Sequence, residues 1–217
     1  MLNLILVRHG ETDWNHEQRI QGQLDIPLNK NGTKQARAVF SKLKKEPIDA
    51  IFSSDLTRAM ETVAPFKQLG FSINLDSNLR ERSLGMLEGL GVKEAVELMP
   101  EDLRAFQARS YTVTPKNSES MSAFEKRIRM FLSKISETYE RGNILAVTHG
   151  GVIDVVWRIA NNISPTDPVK PTVTNGSIHR LQLINNGGVA IENFNDVDHM
   201  KAMSHLDDVR DDANLIR

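Results

Sequence analysis

Two arginines and two histidines follow short apolar runs that have the pattern of buried strands: Arg8, His9, Arg58 and His149. Guanidinium groups match phosphate oxygens with paired hydrogen bonds. A neutral imidazole nitrogen can attack phosphorus and form a phosphohistidine, and much of a histidine population is neutral at physiological pH. If the chain brings these four side chains together, we expect a pocket that binds a phosphate dianion and supports covalent phosphoryl transfer.

Such a pocket also needs a carboxyl group, because the alkoxide that leaves phosphorus requires a proton. Glu81 is the candidate acid, and positioned proton transfer contributes about 10²–10⁴-fold to a rate. The same carboxylate can then activate a water molecule in the second half-reaction. Glu11 and Glu88 are the alternatives for this role.

The spacing of apolar residues predicts the elements that must position these groups. Residues 4–7, 50–52 and 144–147 are predicted as short buried strands, and amphipathic patterns predict helices between them. Two further strands, at 177–184 and 189–194, flank an Asn-Asn-Gly-Gly turn and predict a hairpin. Strands that alternate with helices are typical of an α/β fold. We expect a three-layer αβα sandwich with a mainly parallel sheet and an antiparallel edge strand.

In an open α/β sheet the ligand site lies beyond the carboxyl ends of the strands. The candidate side chains follow the predicted strands at that end. Asp55 is expected to cap the helix that carries Arg58, and Gly150 and Gly151 lead into another helix at the same edge. Helix N-termini favour an anion through their amide groups and dipole. The sequence therefore predicts one crevice in which the two arginines and two histidines meet.

Six segments carry motifs with a recognisable order. They read Leu-Val-Arg-His-Gly-Glu-Thr-Asp-Trp-Asn at 6–15, Arg-Ile-Gln-Gly-Gln at 19–23, Ser-Ser-Asp-Leu-Thr-Arg-Ala at 53–59, Leu-Arg-Glu at 79–81, Thr-His-Gly-Gly at 148–151 and Asn-Gly-Ser-Ile at 175–178. In this order they resemble the motifs of the histidine phosphatase superfamily, in its phosphoglycerate mutase-like branch. The resemblance covers nearly the whole chain. One departure is Ser118, where relatives often have glycine before Glu-Ser.

The resemblance implies a role for each matching residue. His9 is implied as the nucleophile and Glu81 as the acid and base. The implied ligands of the phosphoryl group and substrate are Arg8, Arg58, His149, Asn15, Gln21, Gly22 and Gly150. No metal and no cofactor are implied. The resemblance also implies a single histidine phosphatase domain over residues 1–217, with a helical insertion at about 82–117 that covers the site.

Three functions stay open at this point. The first is a metal-independent phosphatase that hydrolyses small phosphomonoesters through a phosphohistidine. The second is a phosphoglycerate mutase that depends on 2,3-bisphosphoglycerate, and the third is a catalytically silent phosphate-binding module. Mutases of the family have a longer insertion with more basic residues than the segment 82–117 provides, which favours the phosphatase. Gln23, Met86 and Tyr111 are expected to touch the organic part of the substrate.

Composition excludes several classes of protein. The 217 residues include no cysteine, which excludes disulfides, thiolate catalysis and cysteine-ligated zinc. The formal net charge of -1 argues against binding nucleic acid or membranes by bulk charge. No apolar run approaches the ~20 residues that a membrane-spanning helix needs. We expect a cytoplasmic protein whose partner is a small phosphorylated metabolite, and the sequence predicts no particular oligomeric state.

Overall fold

A six-stranded sheet forms the centre of the computed structural model, which describes residues 1–184 and 188–201. In chain order the strands are β1 Leu2–Arg8, β2 Ala50–Ser53, β3 Ile73–Leu75, β4 Gly142–Thr148, β5 Ile178–Ile184 and β6 Gly188–Asp196. Their order across the sheet is β3-β2-β4-β1-β5-β6. The first four are mutually parallel, whereas β5 is antiparallel to both β1 and β6. The predicted edge hairpin is confirmed, although its turn at 185–187 lies outside the described residues.

Seven α-helices occur in the described residues: α1 Asp13–His16, α2 Lys30–Leu43, α3 Thr57–Val63, α4 Val92–Leu98, α5 Pro100–Ala108, α6 Met121–Thr138 and α7 Gly150–Asn161. Short 3₁₀ helices are found at Ala64–Leu69, Ser77–Leu79, Gly85–Leu87 and Asp198–Met200. Helices α2 and α3 pack on one face of the sheet, and α6 and α7 pack on the other. The predicted three-layer αβα sandwich is confirmed. Across the described ranges, no helix combines the length and the apolarity that crossing a bilayer requires.

The central strands are buried on both faces, which explains why they read as continuous apolar runs. In β1, Leu4 and Leu6 belong to the core shared with α6 and α7. Ile5 and Val7, which point to the opposite face, belong to the core shared with α2 and α3. Packing on both faces of the sheet therefore fixes the strand ends, and with them the positions of the residues that follow.

The insertion after residue 82 forms a small apolar core of its own. Leu84, Leu87, Ala95 and Leu103 are buried against Ile20. Ile20 lies in the loop after α1, so α4 and α5 pack against that loop. The insertion thus contains two helices, and Pro100 occupies the first turn of α5, where its missing N–H removes no intrahelical hydrogen bond.

The prediction that Asp55 caps the helix carrying Arg58 is wrong. Helix α3 begins at Thr57, and its N-cap residue is Leu56, whose side chain makes no capping hydrogen bond. Asp55 instead accepts hydrogen bonds from Nε and Nη2 of Arg80, both at 2.6 Å. A bidentate hydrogen bond between a guanidinium and a carboxylate is stronger than the hydrogen bond from a backbone amide that a helix cap would accept. This pair ties the end of β2 to the segment that contains Glu81.

Candidate active site

Three strand ends meet at the edge of the sheet where the candidate residues lie. Strands β2, β4 and β1 are adjacent and parallel, and Arg8 at the end of β1 is in register with Thr148 at the end of β4. The next residues, His9 and His149, therefore lie side by side, with ring centroids 5.1 Å apart. Residues 140 positions apart in sequence are brought together by strand pairing alone.

The hydrogen bond at Nδ1 of His9 determines where the ring carries its proton. Nδ1 lies 2.7 Å from the carbonyl oxygen of Gly10, which can only accept, so Nδ1 is the protonated nitrogen. The lone pair is then on Nε2, and the ring lines a cavity. Burial, and next the positive charges of Arg58 and Arg8, hold the pKa of His9 well below its usual range. His9 is therefore neutral and nucleophilic at neutral pH.

Arg58 is buried and joins three parts of the site. Its Nη2 and Nη1 donate to the carbonyl oxygens of Gly22, at 2.7 Å, and Leu24, at 2.8 Å. Its Nε donates to Nδ1 of His149 at 3.2 Å. Arg58 and Gly22 both line the cavity. His149 is not itself a lining residue, but its ring contacts His9 and Arg58, which are. Arg58 thus fixes the loop after α1 against the end of β4.

Arg8 brings a second buried guanidinium to the same cavity. Its side chain is 4% exposed, and Nη1 donates to the carbonyl oxygen of Val173. Arg8 and Arg58 line the cavity together with His9. Two guanidinium groups beside one imidazole make this part of the cavity suited to a phosphoryl group.

Two buried amide side chains are oriented by their neighbours. The oxygen of Asn15 accepts from the amide of Thr12 at 3.1 Å and from Nδ2 of Asn175 at 3.3 Å. The oxygen of Gln21 accepts from the Thr12 hydroxyl at 3.0 Å. Asn15 and Gln21 both line the cavity. Because their oxygens are engaged by protein donors, their NH₂ groups are the parts offered to an anion.

The carboxylate of Glu81 is held at the N-terminus of α7. Oε2 accepts from the amide of Gly151 at 2.9 Å, and Oε1 accepts from the amide of Arg82 at 2.7 Å. A Cβ at position 151 would lie 2.2 Å from Oε1, so the approach requires glycine there. Glu81 lines the cavity together with His9 and Gly150. The alternative acids Glu11 and Glu88 bind neighbouring loop groups and do not line it.

Arg127 of α6 is a supporting residue that was not predicted from the sequence. Its Nη1 donates to the carbonyl oxygens of Asn78, at 2.7 Å, and Arg80, at 2.6 Å, and its Nη2 donates to that of Glu81 at 2.8 Å. It also forms an ion pair with Glu119 at 2.8 Å. A single arginine in an amphipathic helix pattern is indistinguishable from a solvent-facing one, so no sequence signal pointed to it. Arg127 fixes the backbone from which Glu81 projects.

The outer part of the cavity is built largely from the insertion and the ends of α6 and α7. Its lining residues there are Leu84, Phe106, Gln107, Arg109, Met121, Phe124 and Asp154. Arg109 forms an ion pair with Asp154, which connects the insertion to α7. Gln23, Met86 and Tyr111 do not line the cavity, so the expectation that they touch the substrate is not supported. Gln23 instead donates to the carbonyl oxygen of Glu81 at 2.9 Å.

Arg82 also lines the cavity and is 4% exposed. Its Nε donates to the carbonyl oxygen of Glu119 at 2.9 Å, but its buried Nη2 has no hydrogen-bond partner within residues 1–184 and 188–201. In the same ranges, no group of three or more potential metal-ligating side chains occurs. The chemistry available in the cavity is that of imidazole, guanidinium, ammonium, amide and carboxyl groups, the ammonium being that of Lys170.

Comparison with known proteins agrees with this geometry. The model of the histidine phosphatase superfamily (branch 1) matches residues 4–197. The chain belongs to this superfamily. It is 35% identical over 207 residues to phosphoglycerate mutase-like protein 4 of Arabidopsis thaliana, which covers 94% of this chain and 89% of the relative. It is 33% identical over 208 residues to the metal-independent phosphoserine phosphatase of the same plant, covering 94% and 85%.

The fold of this superfamily member is also shared with solved structures. Bacillus stearothermophilus YhfR superposes with a TM-score of 0.84 at 28% identity, covering 93% of this chain and 100% of that one. The relatives are phosphatases or mutases, so the chain is a phosphoryl-transfer enzyme. The interpretation as a silent binding module is therefore not supported.

Proposed function

We propose that this enzyme is a metal-independent phosphatase that hydrolyses small phosphomonoesters through a phosphohistidine on His9. The observation that carries the proposal is the state of His9, a buried neutral ring with its proton on Nδ1. Arg8 and Arg58 lie beside it in the same cavity and would neutralise the charge of a phosphoryl group. These two guanidinium groups supply the electrostatic stabilisation that metal ions supply in other phosphoryl-transfer enzymes.

In the first half-reaction the Nε2 lone pair of His9 forms a bond to phosphorus, and the phosphorus–oxygen ester bond breaks. The leaving oxygen takes the proton of Glu81, which must be protonated as that bond breaks. In the second half-reaction the Glu81 carboxylate takes a proton from water, whose oxygen bonds to phosphorus. The phosphorus–nitrogen bond then breaks and inorganic phosphate leaves. The side chains of Asn15 and Gln21 would donate to the phosphoryl oxygens throughout.

The outer part of the cavity fits a substrate whose leaving group is small and carries an acidic substituent. The cavity volume is about 90 Å³, and its apolar wall includes Leu84, Phe106 and Phe124. The buried Nη2 of Arg82 would donate a hydrogen bond to a carboxylate on the substrate. Phosphoserine, the substrate named for one relative, has such a group. The substrate proposed for this enzyme is therefore a small phosphorylated metabolite with a carboxylate.

A matched pair of substrates tests this part of the proposal. Phosphoserine and phosphoethanolamine differ by one carboxylate, and we expect kcat/KM to favour phosphoserine by about tenfold or more, as for a hydrogen bond between charged groups. Arg82→Gln should remove that preference while it leaves hydrolysis of phosphoethanolamine in place. An unchanged preference in Arg82→Gln would refute the assignment of Arg82.

The mutase remains the second candidate, because relatives include a phosphoglycerate mutase-like protein. The phosphatase is favoured by where the basic residues of the insertion lie. Of the basic residues in the insertion, Arg82 and Arg109 line the cavity, and Arg109 is already paired with Asp154. The insertion therefore offers few positive charges for the second phosphate of a bisphosphoglycerate. The enzyme should therefore release phosphate from 3-phosphoglycerate and form no 2-phosphoglycerate, with or without added 2,3-bisphosphoglycerate. Isomerisation stimulated by that bisphosphate would instead establish a mutase.

The reaction itself is tested with an aryl phosphate such as p-nitrophenyl phosphate. Hydrolysis should survive an excess of chelator and should be lost in His9→Gln. His16→Gln, which changes an exposed histidine in α1, is the matched control and should retain activity. Full activity of His9→Gln would refute the nucleophile, and loss of activity with the chelator would refute metal independence.

A further inference from the structure

Two hydrogen bonds determine the protonation of His149. The Nε–H of Arg58 donates to Nδ1 at 3.2 Å, so Nδ1 holds a lone pair. The neutral ring then carries its single proton on Nε2, which lies 2.8 Å from Oγ of Ser54 and donates to it. In this state His149 has no N–H group left for a phosphoryl oxygen.

Ser54 is the partner that makes this arrangement possible. It follows β2 directly, is fully buried, and its hydroxyl oxygen also accepts from the amide of Leu56 at 3.3 Å. Both contacts keep the oxygen of Ser54 facing the ring of His149. No role beyond membership of a motif was expected for it from the sequence.

A bound phosphoryl dianion changes what these groups must do. Its oxygens only accept hydrogen bonds, so the Nε–H of Arg58 is drawn towards them and away from His149. A ring nitrogen with a lone pair would then be buried beside an anion without a donor, which is costly. A proton on Nδ1 removes that cost, because the ring then donates to the anion through Nδ1 and still to Ser54 through Nε2.

We propose that binding of a phosphoryl dianion is coupled to the uptake of one proton at Nδ1 of His149, and that Ser54 is the positioning residue that holds the ring for this change. The inference rests on the proposed function, since it assumes that the dianion binds beside His9. Before binding, the proton is on Nε2 alone. After binding, both ring nitrogens carry a proton, and the proton comes from solvent.

The charges around His149 give the direction of the coupling. The ring faces Arg58 from α3, Arg8 and His9 at the end of β1, and Arg127 from α6. Burial and then Arg58 hold the pKa of His149 well below its usual range in the free enzyme. The dianion adds negative charge beside the ring and raises that pKa. Between the two values, each increase of one pH unit should weaken dianion binding about tenfold.

Tungstate is a suitable probe, because it stays a dianion across neutral pH and cannot be hydrolysed. In the full chain labelled with ¹⁵N-histidine, His149→Gln identifies the ring signals of His149. We expect a single proton on Nε2 without tungstate and protons on both nitrogens with it. A ring that stays singly protonated in the complex, or that already carries its proton on Nδ1 without tungstate, would overturn the proposal.

Calorimetry in two buffers of different ionisation enthalpy gives an independent measurement. Tungstate binding near neutral pH should take up about one proton. Glu81→Gln should retain this uptake, which separates it from protonation of the carboxylate, and His149→Gln should lose it. Uptake that persists in His149→Gln, or that is lost in Glu81→Gln, would contradict the assignment.

Ser54→Ala tests the positioning role. Without the acceptor for Nε2–H, tungstate affinity at neutral pH should fall about tenfold or more, and proton uptake should shift to lower pH. Ser53→Ala is the matched control, because the single hydroxyl proton of this buried serine is donated to the carbonyl oxygen of Ser54 at 2.8 Å. If both variants bind tungstate as the wild type does while phosphatase activity is intact, this inference fails alone. Absence of both hydrolysis and tungstate binding in the wild type would refute the proposed function itself.

Discussion

Replacing Gly151 by alanine should misplace the carboxyl group of Glu81 and leave the fold intact. The new Cβ would lie 2.2 Å from Oε1 of Glu81, 3.0 Å from Cδ and 3.2 Å from Oε2. An ordinary contact begins near 3.4 Å, so the carboxylate must shift by about 1 Å. The side chain of Glu81 can yield, because the overlap is with its flexible end. The hydrogen bond from the amide of Gly151 to Oε2 is then strained or lost.

The substitution is expected to affect catalysis far more than stability. Alanine is favoured over glycine within a helix by about 0.8–1.0 kcal/mol, so the unfolding midpoint of Gly151→Ala should not fall. A displacement of 1 Å at a catalytic group costs about 10²-fold in rate. We therefore expect kcat on phosphoserine to fall about 10²-fold, with little change in the thermal midpoint.

The assay separates the two roles proposed for Glu81. An aryl phosphate with a good leaving group needs little help from an acid, so phosphoryl transfer to His9 should stay fast in Gly151→Ala. Hydrolysis of the phosphoenzyme still needs the carboxylate, so a burst of phenol followed by slow turnover is expected. In a Glu81→Gln background, Gly151→Ala should add little, because both changes affect one interaction. Wild-type kcat in Gly151→Ala would refute the reasoning about how Glu81 is positioned.

Two further predictions concern buried groups that support the site. Arg127→Met removes three hydrogen bonds to the segment that carries Glu81 and leaves Glu119 without its ion pair. The free energy of unfolding in urea should therefore fall by about 3–5 kcal/mol. Lys126→Met, on the exposed face of α6, is the control and should change it little. Burial and the charge of Arg8 lower the pKa of His179 to about 3, so the folded state binds fewer protons than the unfolded state, and stability should fall as the pH drops from about 6.5 towards 3. Over that range, the free energy of unfolding of His179→Gln should fall by less than that of the wild type, the difference reaching about 4 kcal/mol. An equal dependence of unfolding free energy on pH in both proteins would contradict this.

The sheet and the convergence of the strand ends follow from local sequence. Runs such as Leu4–Val7 are apolar at every position because both faces are covered, and a parallel pairing then brings the following residues together. The positions of His9 and His149 therefore need only strand pairing. The same reasoning placed the hairpin at the sheet edge.

The supporting contacts of the site could not be predicted, because they join residues far apart in sequence. Gly151 meets Glu81 across 70 positions, and Ser54 meets His149 across 95. The role expected of Asp55 failed for a related reason, since Arg80 from a distant segment competes for its carboxylate. Local patterns describe what a residue can do, and tertiary partners determine which of these options it takes.

The identity of the phosphorylated residue tests the proposed mechanism most directly. The enzyme is mixed with ³²P-labelled substrate and quenched in denaturant within the first turnover, and the labelled peptide is sequenced. We predict label on His9 alone, stable to base and labile to acid, with more label retained in Glu81→Gln because hydrolysis is slowed. Rapid turnover with no covalent label, or label on another residue, would contradict covalent catalysis by His9.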